Sequence, residues 1–529
     1  MAAVSTCAQN EPLSVDGGNI TGTKGRSPDV RVFKGIPFAA PPTGDLRWRP
    51  PQPVKPWTGV TTATKFGPGC IGRSFGPPAP EGMSEDCLYL NVWTPALSPG
   101  PFPVLVWIHG GGFQGGSGSH PSCDGEEFAK QGVVVVTFNY RVGVLGFLAH
   151  PDLTKESATR APFGRQASGN YGLLDQVAAL EWVKRNIASF GGDPAQVTIA
   201  GESAGAYSVS ALTASPMARG LFRGAIAESG GFLLPKGDAM RSHAASETIG
   251  VDFARSLGAE HIASLRAMPA EKLIQALSHI PDPYLFQPGI DGAVLVEPVY
   301  TTYTKGQQAK VPILIGSNTD EGAFLIPPNR PSIAEFQARL EQTYGENSGL
   351  VKYAYPADTP ADLVRSELNL YADDGFNYPM WKWANLQSES GLPVYRYVFS
   401  RTVEHDPDLV FRGIPRREIG AFHGDEVAYV FGNLDMAPVS LDGTSRKGRY
   451  EEADYALSKA MLTYWANFVK AGNPNAADEA PWPRYEHAAG SPVMWFGDRA
   501  RLKLDDGTSR MKLLDTAFQP PTVSGTSRQ

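Results

Sequence analysis

The sequence predicts an α/β fold in which helices flank a large, mostly parallel β-sheet. Three short apolar runs have the length of buried strands, at residues 104–108, 133–138 and 197–200. Between the last two, apolar side chains recur at helical spacing over residues 173–187, and the turn Asp193-Pro194 follows. Strand, helix and strand therefore alternate as they do in parallel sheets.

The second half of the chain continues this alternation over longer intervals. Further strand candidates lie at residues 225–227, 311–315 and 394–399. Two segments, at about residues 235–298 and 327–379, combine helical periodicity with proline breaks, and we expect helical caps inserted over the sheet edge there. A long core helix with a broad apolar face is predicted over residues 453–470. One domain spanning residues 1–529 is the expected organisation.

Composition and charge limit the kinds of partner. The net charge is −7, which provides no basic field for a phosphate backbone, so a nucleic-acid partner is not expected. Apolar runs such as residues 133–138 are far too short to span a bilayer, which predicts a soluble protein. Small molecules are the expected partners, and the sequence favours neither a monomer nor a dimer.

The four cysteines are not spaced, with one another or with histidines, as a zinc site requires. No metal is expected. Cys70 and Cys87 bracket the proline- and glycine-rich residues 72–82, where a disulfide would staple a loop with little structure of its own. Two reduced, buried cysteines are the alternative. Cys7 and Cys123 have no evident partner.

The pattern Gly-x-Ser-x-Gly, typical of a serine nucleophile on a sharp turn between a strand and a helix, occurs twice. The copy around Ser74 lies among prolines and follows no predicted strand. The copy around Ser203 directly follows residues 197–200 and leads into residues 204–212, which can be helical. This context favours Ser203 as the nucleophile over an ordinary glycine-rich turn.

A serine that transfers acyl groups also needs backbone N–H donors for the oxyanion. The glycine-rich residues 109–113 follow the predicted strand 104–108, and the lack of side chains lets a substrate approach the backbone closely. We expect the donors to be Gly111, Gly112 and Ala204.

The same turn has the spacing of a dinucleotide-binding fingerprint, through Gly110, Gly112 and Gly115. Its context opposes that interpretation. The residues after the turn, Gly-Ser-Gly-Ser-His-Pro, do not open a helix easily, and the next strand ends at Asn139-Tyr140 without a carboxylate for a ribose. No cofactor is therefore expected.

In a fold of this kind the base is a histidine that follows the nucleophile and the acid along the chain. The histidines after Ser203 are His243, His261, His279, His405, His423 and His487. His423 is favoured because it lies in a loop after the predicted strand 394–399, whereas the others lie in the predicted cap or in polar loops. The acid should follow an earlier strand, and residues 311–315 lead into Asp320 and Glu321, between which this reasoning does not choose.

Several motifs in sequence order carry a family resemblance. They lie at residues 33–39, 84–91, 109–113, 138–141, 169–176, 190–194 and 201–206. With them the chain resembles the type-B carboxylesterases, the group that includes cholinesterases, lipases of the Candida rugosa type and bacterial p-nitrobenzyl-type esterases. The resemblance covers nearly the whole chain and implies the α/β-hydrolase fold and hydrolysis of carboxylic esters.

The resemblance also implies roles for particular residues. The acid motif Asp-Glu-Gly matches residues 320–322 and favours Glu321, and His423 matches the base. The first disulfide of the family matches Cys70 and Cys87, which suggests a secreted or periplasmic protein. Residues 1–9 as written are not a signal peptide, so a leader would be absent or already removed. The second disulfide of animal members has no counterpart here, which fits a bacterial-style relative.

Residues around the expected triad have counterparts as well. Glu202 corresponds to a carboxylate that can hold a water or favour a protonated base, and Ser229 is similar to a serine that supports the base. A purely structural role is the alternative for both. Tyr284 and Phe286 resemble the acyl-pocket wall of cholinesterases, and Phe324 resembles a gorge residue just after the acid. Plain packing within the cap is the alternative for these aromatic side chains.

The implied mechanism is acylation of Ser203, with His423 as base and Glu321 holding its tautomer, followed by hydrolysis of the acyl-enzyme. Bacterial members of the family include esterases that act on bulky multi-ester metabolites such as fumonisins. One alternative is a relative that lost the triad and acts as a cell-surface ligand. The complete set of triad residues in this sequence argues against that alternative. Another is an enzyme that cleaves amides or carbamates, which a substrate panel would separate.

Overall fold

The computed structural model of the protein describes residues 11–73, 79–96, 100–158, 167–235, 240–403, 409–440, 445–447, 449–477, 479–487, 492–505 and 507–518. Cys7, the alternative serine Ser74 and His405 lie outside the described residues. Residues 1–9 lie outside them as well.

A large, mostly parallel sheet runs through the molecule, as predicted. Within the described residues its strands are β1 Thr23–Lys24, β2 Val30–Pro37, β3 Tyr89–Pro95, β4 Phe102–Ile108, β5 Val134–Phe138, β6 Gly192–Glu202, β7 Gly224–Glu228, β8 Ile313–Asn318, β9 Val394–Phe399, β10 Val493–Phe496 and β11 Ala500–Lys503. Their spatial order is β11-β10-β9-β8-β7-β6-β4-β5-β3-β2-β1. Neighbours from β10 to β5 are parallel, and the strands at both ends of the sheet pair antiparallel.

The predicted strands all belong to the parallel part of this sheet. Only β9 has the predicted bounds, and two strands depart from the prediction by more than one residue at a point where the backbone gives a reason. β8 begins at Ile313 rather than at residue 311, because Pro312 has no N–H with which to join a ladder. β6 begins at Gly192, and its register against β4 is irregular between Gly192 and Val197. The antiparallel strands at the two ends of the sheet are not among the predicted strands.

The α-helices of the described residues are α1 Glu126–Lys130, α2 Gly143–Phe147, α3 Pro151–Ser157, α4 Tyr171–Asn186, α5 Ala204–Ala214, α6 His243–Ser256, α7 Ile262–Arg266, α8 Ala270–Leu277, α9 Val299–Thr304, α10 Ile333–Tyr344, α11 Ser348–Ala354, α12 Pro360–Ala372, α13 Tyr378–Glu389, α14 Val427–Val430, α15 Glu452–Ala471 and α16 Thr508–Phe518. The predicted helices over residues 173–187 and 453–470 correspond to α4 and α15. Helices α6 to α8 and α10 to α12 fall in the two predicted cap segments. The assignment of residues 1–529 to one domain stays a prediction.

Helices cover the sheet on both faces. On β4, Val104, Val106 and Ile108 belong to a buried cluster that also contains the apolar side chains of α4 and α5. Leu105 and Trp107 belong to a different cluster, which contains those of α15. Because successive side chains of a strand point to opposite faces, this split places α4 and α5 on one face and α15 on the other. The central strands are therefore covered on both faces, as expected for a buried parallel sheet.

Cys70 and Cys87 form a disulfide, as the family resemblance implies, with their Cα atoms 4.9 Å apart. The bond joins the ends of a loop whose short strands Gly69–Cys70 and Met83–Ser84 also pair with each other. Cys123 is buried and is not bonded to another described cysteine. Of the helices that the structure describes, none combines the length and the apolar character needed to cross a bilayer.

Candidate active site

Ser203 occupies the sharp turn between β6 and α5. Its backbone is at φ 55° and ψ −124°, a strained conformation for a residue with a side chain. The turn is held because Ser203 donates its N–H to the carbonyl of Glu228 at 2.9 Å. A Cβ on Gly205 would overlap the carbonyl oxygen of Ile108, so glycine is required for α5 to pack this closely against β4. The flanking glycines of the motif thus present Ser203 at the carboxyl edge of the sheet.

The expected base and acid meet at this edge. His423 Nδ1 lies 2.5 Å from Glu321 Oε2, and Glu321 is fully buried. The other oxygen, Oε1, accepts hydrogen bonds from the N–H of Asn318 at 2.6 Å and from the Ser229 hydroxyl. Asp320 points elsewhere, to Arg365 at 2.9 Å and to the N–H of Gly420. Of the two competing carboxylates, the structure brings Glu321 and not Asp320 to the imidazole.

The electrostatic environment favours the protonated form of His423. Its Nε2 lies 3.2 Å from Glu202 Oε1. Burial alone would lower the pKa of the imidazole, but the negative charges of Glu202 and Glu321 outweigh it and raise the pKa of His423 to about 8. Burial raises the pKa of Glu202 to about 7 even though the neighbouring histidine opposes this effect. The rings of Phe324 and Phe376 pack on the imidazole, with centroids 4.9 and 4.5 Å away.

The glycine-rich loop after β4 lies beside Ser203. Gly111 and Gly112 have φ of 104° and 60°, conformations that favour glycine. The carbonyl of Gly111 accepts hydrogen bonds from the N–H groups of Gln114 and Gly115 at 2.9 and 3.2 Å, which fixes the turn. With Ala204 at the start of α5, the two glycines line the same cavity as Ser203. The three expected oxyanion donors therefore line one cavity with Ser203.

This substrate-sized cavity has a volume of about 600 Å³ and a largely aromatic wall. Its lining includes Ser203, His423, Glu202, Gly111, Gly112, Ala204, His120, Tyr207, Phe232, Tyr284, Phe324 and Phe376. Tyr284 and Phe324 both line this cavity, and their roles toward a substrate stay predictions. Tyr284 contacts the glycine loop closely enough that a Cβ on Gly112 would lie 2.7 Å from its ring.

Phe286 is a correction to the sequence interpretation, because it does not line the cavity. Its ring is buried and packs edge-on against Phe253 of α6, with centroids 5.2 Å apart. Its carbonyl accepts a hydrogen bond from Gln114 Nε2 at 2.6 Å. Phe286 therefore anchors the cap to the glycine-rich loop rather than forming the pocket wall.

Sequence reasoning missed a group of buried acids near Ser229 and Asn318. Glu426 lies 3.3 Å from the Ser229 hydroxyl and accepts a 2.5 Å hydrogen bond from Asn318 Nδ2. Glu228 accepts a 2.7 Å hydrogen bond from Trp465 Nε1. Burial raises the pKa of Glu228 to about 8 and that of Glu426 well above its ordinary value. The sequence did contain a signal for both acids. Glu228 directly follows the predicted strand 225–227, and Glu426 lies three residues after the predicted base, His423.

Missed residues of the cavity wall include Tyr207, Phe232 and Phe376. Phe376 belongs to the π-helical turn Asp373–Asn377 between α12 and α13, which carries it to His423. Among the described residues, no group of three or more His, Cys, Asp or Glu side chains is placed to hold a metal ion.

A family model described as the carboxylesterase family matches residues 9–513. The chain belongs to the carboxylesterase family. Curated relatives agree with this membership. A fumonisin B1 esterase from Sphingopyxis macrogoltabida is 40% identical, and the alignment covers 91% of this chain and 85% of that protein. A cocaine esterase from Oryctolagus cuniculus is 35% identical, with 89% of this chain and 88% of that protein covered.

Solved carboxylesterase structures have the same fold. The PNB esterase superposes with a TM-score of 0.78 at 32% identity, over 96% of this chain and 100% of that chain. The carboxylesterase EST55 from Geobacillus stearothermophilus superposes with a TM-score of 0.80 at 34% identity, again over 96% of this chain and 100% of the other. The chain therefore has the α/β-hydrolase fold and is a carboxylic-ester hydrolase.

Proposed function

We propose that this carboxylesterase is a serine esterase, with Ser203 as nucleophile, His423 as general base and Glu321 as the acid that orients it. The observation that carries the proposal is the 2.5 Å contact between His423 Nδ1 and Glu321 Oε2 in the cavity that Ser203 lines. With Nδ1 donating to the carboxylate, the neutral ring has its lone pair on Nε2, which can accept the proton of the nucleophile. Asp320 instead pairs with Arg365, so its carboxylate does not orient the imidazole in this proposal.

In the acylation step, Ser203 Oγ attacks the ester carbonyl carbon while His423 Nε2 takes its proton. The N–H groups of Gly111, Gly112 and Ala204 are the proposed donors to the oxyanion that forms. When the tetrahedral intermediate collapses, the C–O bond of the ester breaks and the alcohol leaves with the proton from His423. The acyl group stays on Ser203, and water then releases it as the carboxylic acid by the same sequence of proton transfers.

The proposed substrates are small-molecule esters with an apolar part. Tyr207, Phe232, Tyr284, Phe324 and Phe376 supply the aromatic wall that would bind it. The named substrates of relatives, fumonisin B1 and cocaine, are bulky, and both belong in the first substrate panel. The disulfide supports an exported protein, secreted or periplasmic, since such bonds persist in oxidising compartments.

The test compares hydrolysis of p-nitrophenyl butyrate by the wild type, Ser203→Ala and Ser208→Ala. Ser208 is a matched control because it is a buried serine on α5, the helix that follows Ser203, and lies outside the cavity lining; its hydroxyl donates a hydrogen bond to the Ala204 carbonyl at 2.8 Å. We expect Ser203→Ala to lower kcat at least about 10⁴-fold and Ser208→Ala to retain most activity. Near wild-type turnover by folded Ser203→Ala would contradict the proposed function.

A further inference from the structure

Tyr207 lies one helical turn after the nucleophile. It belongs to α5, and its N–H donates a hydrogen bond to the carbonyl of Ser203 at 2.9 Å. The side chains of Ser203 and Tyr207 both line the substrate cavity. The helix that follows the nucleophile therefore also contributes a large aromatic ring to the wall that a substrate contacts.

The ring of Tyr207 is packed too tightly to swing out of this wall. It lies against Phe232, with ring centroids 4.9 Å apart and planes at 65°. It also lies against Gly230, where a Cβ would come within 2.7 Å of the ring. Because Gly230 has no side chain, the ring fits between these neighbours and forms a fixed part of the wall.

The hydroxyl of Tyr207 connects α5 to a second element of the site. It donates a 2.6 Å hydrogen bond to the carbonyl of Gly375, in the π-helical turn Asp373–Asn377. Burial raises the pKa of Tyr207, so the phenol keeps the proton that it donates. Gly375 directly precedes Phe376, whose ring packs on the imidazole of His423. The hydrogen bond thus joins the helix of the nucleophile to the turn that covers the base.

The same π-helical turn is also held through Asp373. This buried carboxylate accepts hydrogen bonds from the Tyr355 hydroxyl at 2.9 Å, from Arg510 Nε at 2.7 Å and from Asn377 Nδ2 at 2.8 Å. The turn is therefore fixed to the helices around it by Asp373 and to α5 by Tyr207.

The proposed mechanism gives the two halves of an ester different surroundings. The alcohol oxygen receives its proton from His423 Nε2 and therefore leaves next to the imidazole. The acyl chain extends from the other side of the carbonyl carbon that Ser203 attacks. Tyr207 packs on Phe232 rather than on the imidazole, which favours the acyl side for its ring.

We propose that Tyr207 is a specificity-determining residue that limits the length of the acyl group, and that its bond to Gly375 keeps Phe376 in the cavity wall. The inference rests on the proposed serine mechanism. A short acyl chain fits between Ser203 and the Tyr207 ring, whereas a long chain meets the ring. The bulk of a large substrate then lies on the alcohol side. The substrate class is esters that join a short-chain acid to a bulky alcohol.

The test measures acyl preference in variants at Tyr207. Tyr207→Ala removes the ring, and Tyr207→Phe removes only the hydroxyl. Tyr303→Phe is the matched control, because Tyr303 is a buried tyrosine outside the cavity lining whose hydroxyl also contacts α5, 2.8 Å from Thr213 Oγ1. The acyl ratio is kcat/KM for p-nitrophenyl octanoate divided by kcat/KM for p-nitrophenyl butyrate, with both esters below the critical micelle concentration. The alcohol ratio is the same quotient for 1-naphthyl acetate and phenyl acetate.

We expect Tyr207→Ala to raise the acyl ratio at least about tenfold, because the ring no longer blocks the longer chain. The alcohol ratio should stay near its wild-type value, and Tyr303→Phe should match the wild type in both ratios. An unchanged acyl ratio in folded Tyr207→Ala, or an alcohol ratio that changes more than the acyl ratio, would overturn the proposal. Failure of the proposed function would show differently, as hydrolysis that persists in Ser203→Ala.

A double-mutant cycle tests the bond to Gly375 and keeps the experiment decisive if Tyr207→Ala does not fold. Tyr207→Phe should raise the acyl ratio, by less than Tyr207→Ala does, because Phe376 is held less firmly. The same substitution in a Phe376→Ala background should leave the ratio unchanged, since the ring that the bond holds is already absent. An unchanged ratio in folded Tyr207→Phe, or independent effects of the two substitutions, would overturn the role of this bond.

Discussion

Asp320 and Glu321 are adjacent in the chain, yet only Glu321 reaches His423. The turn after β8 sends the two carboxylates in different directions, Glu321 to the imidazole and Asp320 to Arg365. Residue types and order alone predicted a carboxylate at this turn but could not choose between them, since the choice depends on side-chain direction. The family motif chose Glu321. For Phe286 the family resemblance was misleading. It placed the ring in the pocket wall, whereas the ring packs in the core against Phe253.

The two carboxylates provide a matched pair of substitutions. We expect Glu321→Gln to lower kcat about 10³- to 10⁴-fold, because an amide cannot hold and stabilise the imidazolium in the same way. Asp320→Asn should keep kcat within a few-fold and should cost about 1–3 kcal/mol of stability, because the Asp320 carboxylate is buried and accepts hydrogen bonds from Arg365 and from the N–H of Gly420. Steady-state kinetics and thermal unfolding of both variants check this, and the reverse pattern of kcat losses would assign the acid to Asp320.

The activity should depend on pH through the pair of His423 and Glu202. His423 acts as a base only when it is neutral, and its pKa is raised to about 8. The value of kcat/KM should therefore rise with pH and level off above about pH 8. Glu202→Gln removes one of the charges that raise the pKa of His423, so the rising limb should move to lower pH. Profiles of kcat/KM for both proteins measure this, and an unmoved limb would refute the coupling.

At the scale of elements, the strand and helix around Ser203 were predictable because their signals are local. β6 ends in an apolar run, the glycines allow the turn, and small residues open α5. β4, β5 and β9 were predictable for the same reason, as short buried apolar runs. The antiparallel strands at the ends of the sheet carry weaker signals. Both residues of β1 are exposed, and β11 has no fully buried residue, so neither shows the pattern of a core strand.

Gly205 tests how tightly α5 must pack against β4. A Cβ there would overlap the carbonyl oxygen of Ile108, so Gly205→Ala should lose about 1–3 kcal/mol or more and should displace Ser203, lowering kcat as well. Gly349→Ala is the matched control, because a Cβ at that helical position meets no atom within 4 Å. It should leave kcat unchanged and should stabilise the helix slightly. Equal melting temperatures for the two variants would contradict this packing.

At the scale of the whole molecule, the site exists only because the fold brings distant segments to one edge of the sheet. Ser203 follows β6, Glu321 follows β8, and His423 comes in the long connection after β9. Parallel strands present their carboxyl ends at the same edge, so this convergence was predictable once the strands were. The contacts of Glu426 and Glu228 with Asn318 and Trp465 were not, because they join residues that only tertiary packing makes neighbours.

The disulfide ties an outer loop to the rest of the molecule. Cys70 and Cys87 are 17 residues apart, and closing a loop of that length contributes about 3 kcal/mol. We expect reductant, or replacement of both cysteines by alanine, to lower the thermal unfolding midpoint at a fixed scan rate. Reductant should have no further effect on the double variant. An unchanged midpoint in both experiments would show that the loop contributes nothing to the transition.

The acyl-enzyme itself is the most direct test of the proposed mechanism. The wild type and Glu321→Gln are mixed briefly with p-nitrophenyl butyrate, quenched in acid, digested and examined by mass spectrometry. The mechanism predicts one butyryl group per chain, on the peptide that contains Ser203, and no adduct in Ser203→Ala. A butyryl group on another residue, or continued hydrolysis by Ser203→Ala, would contradict it.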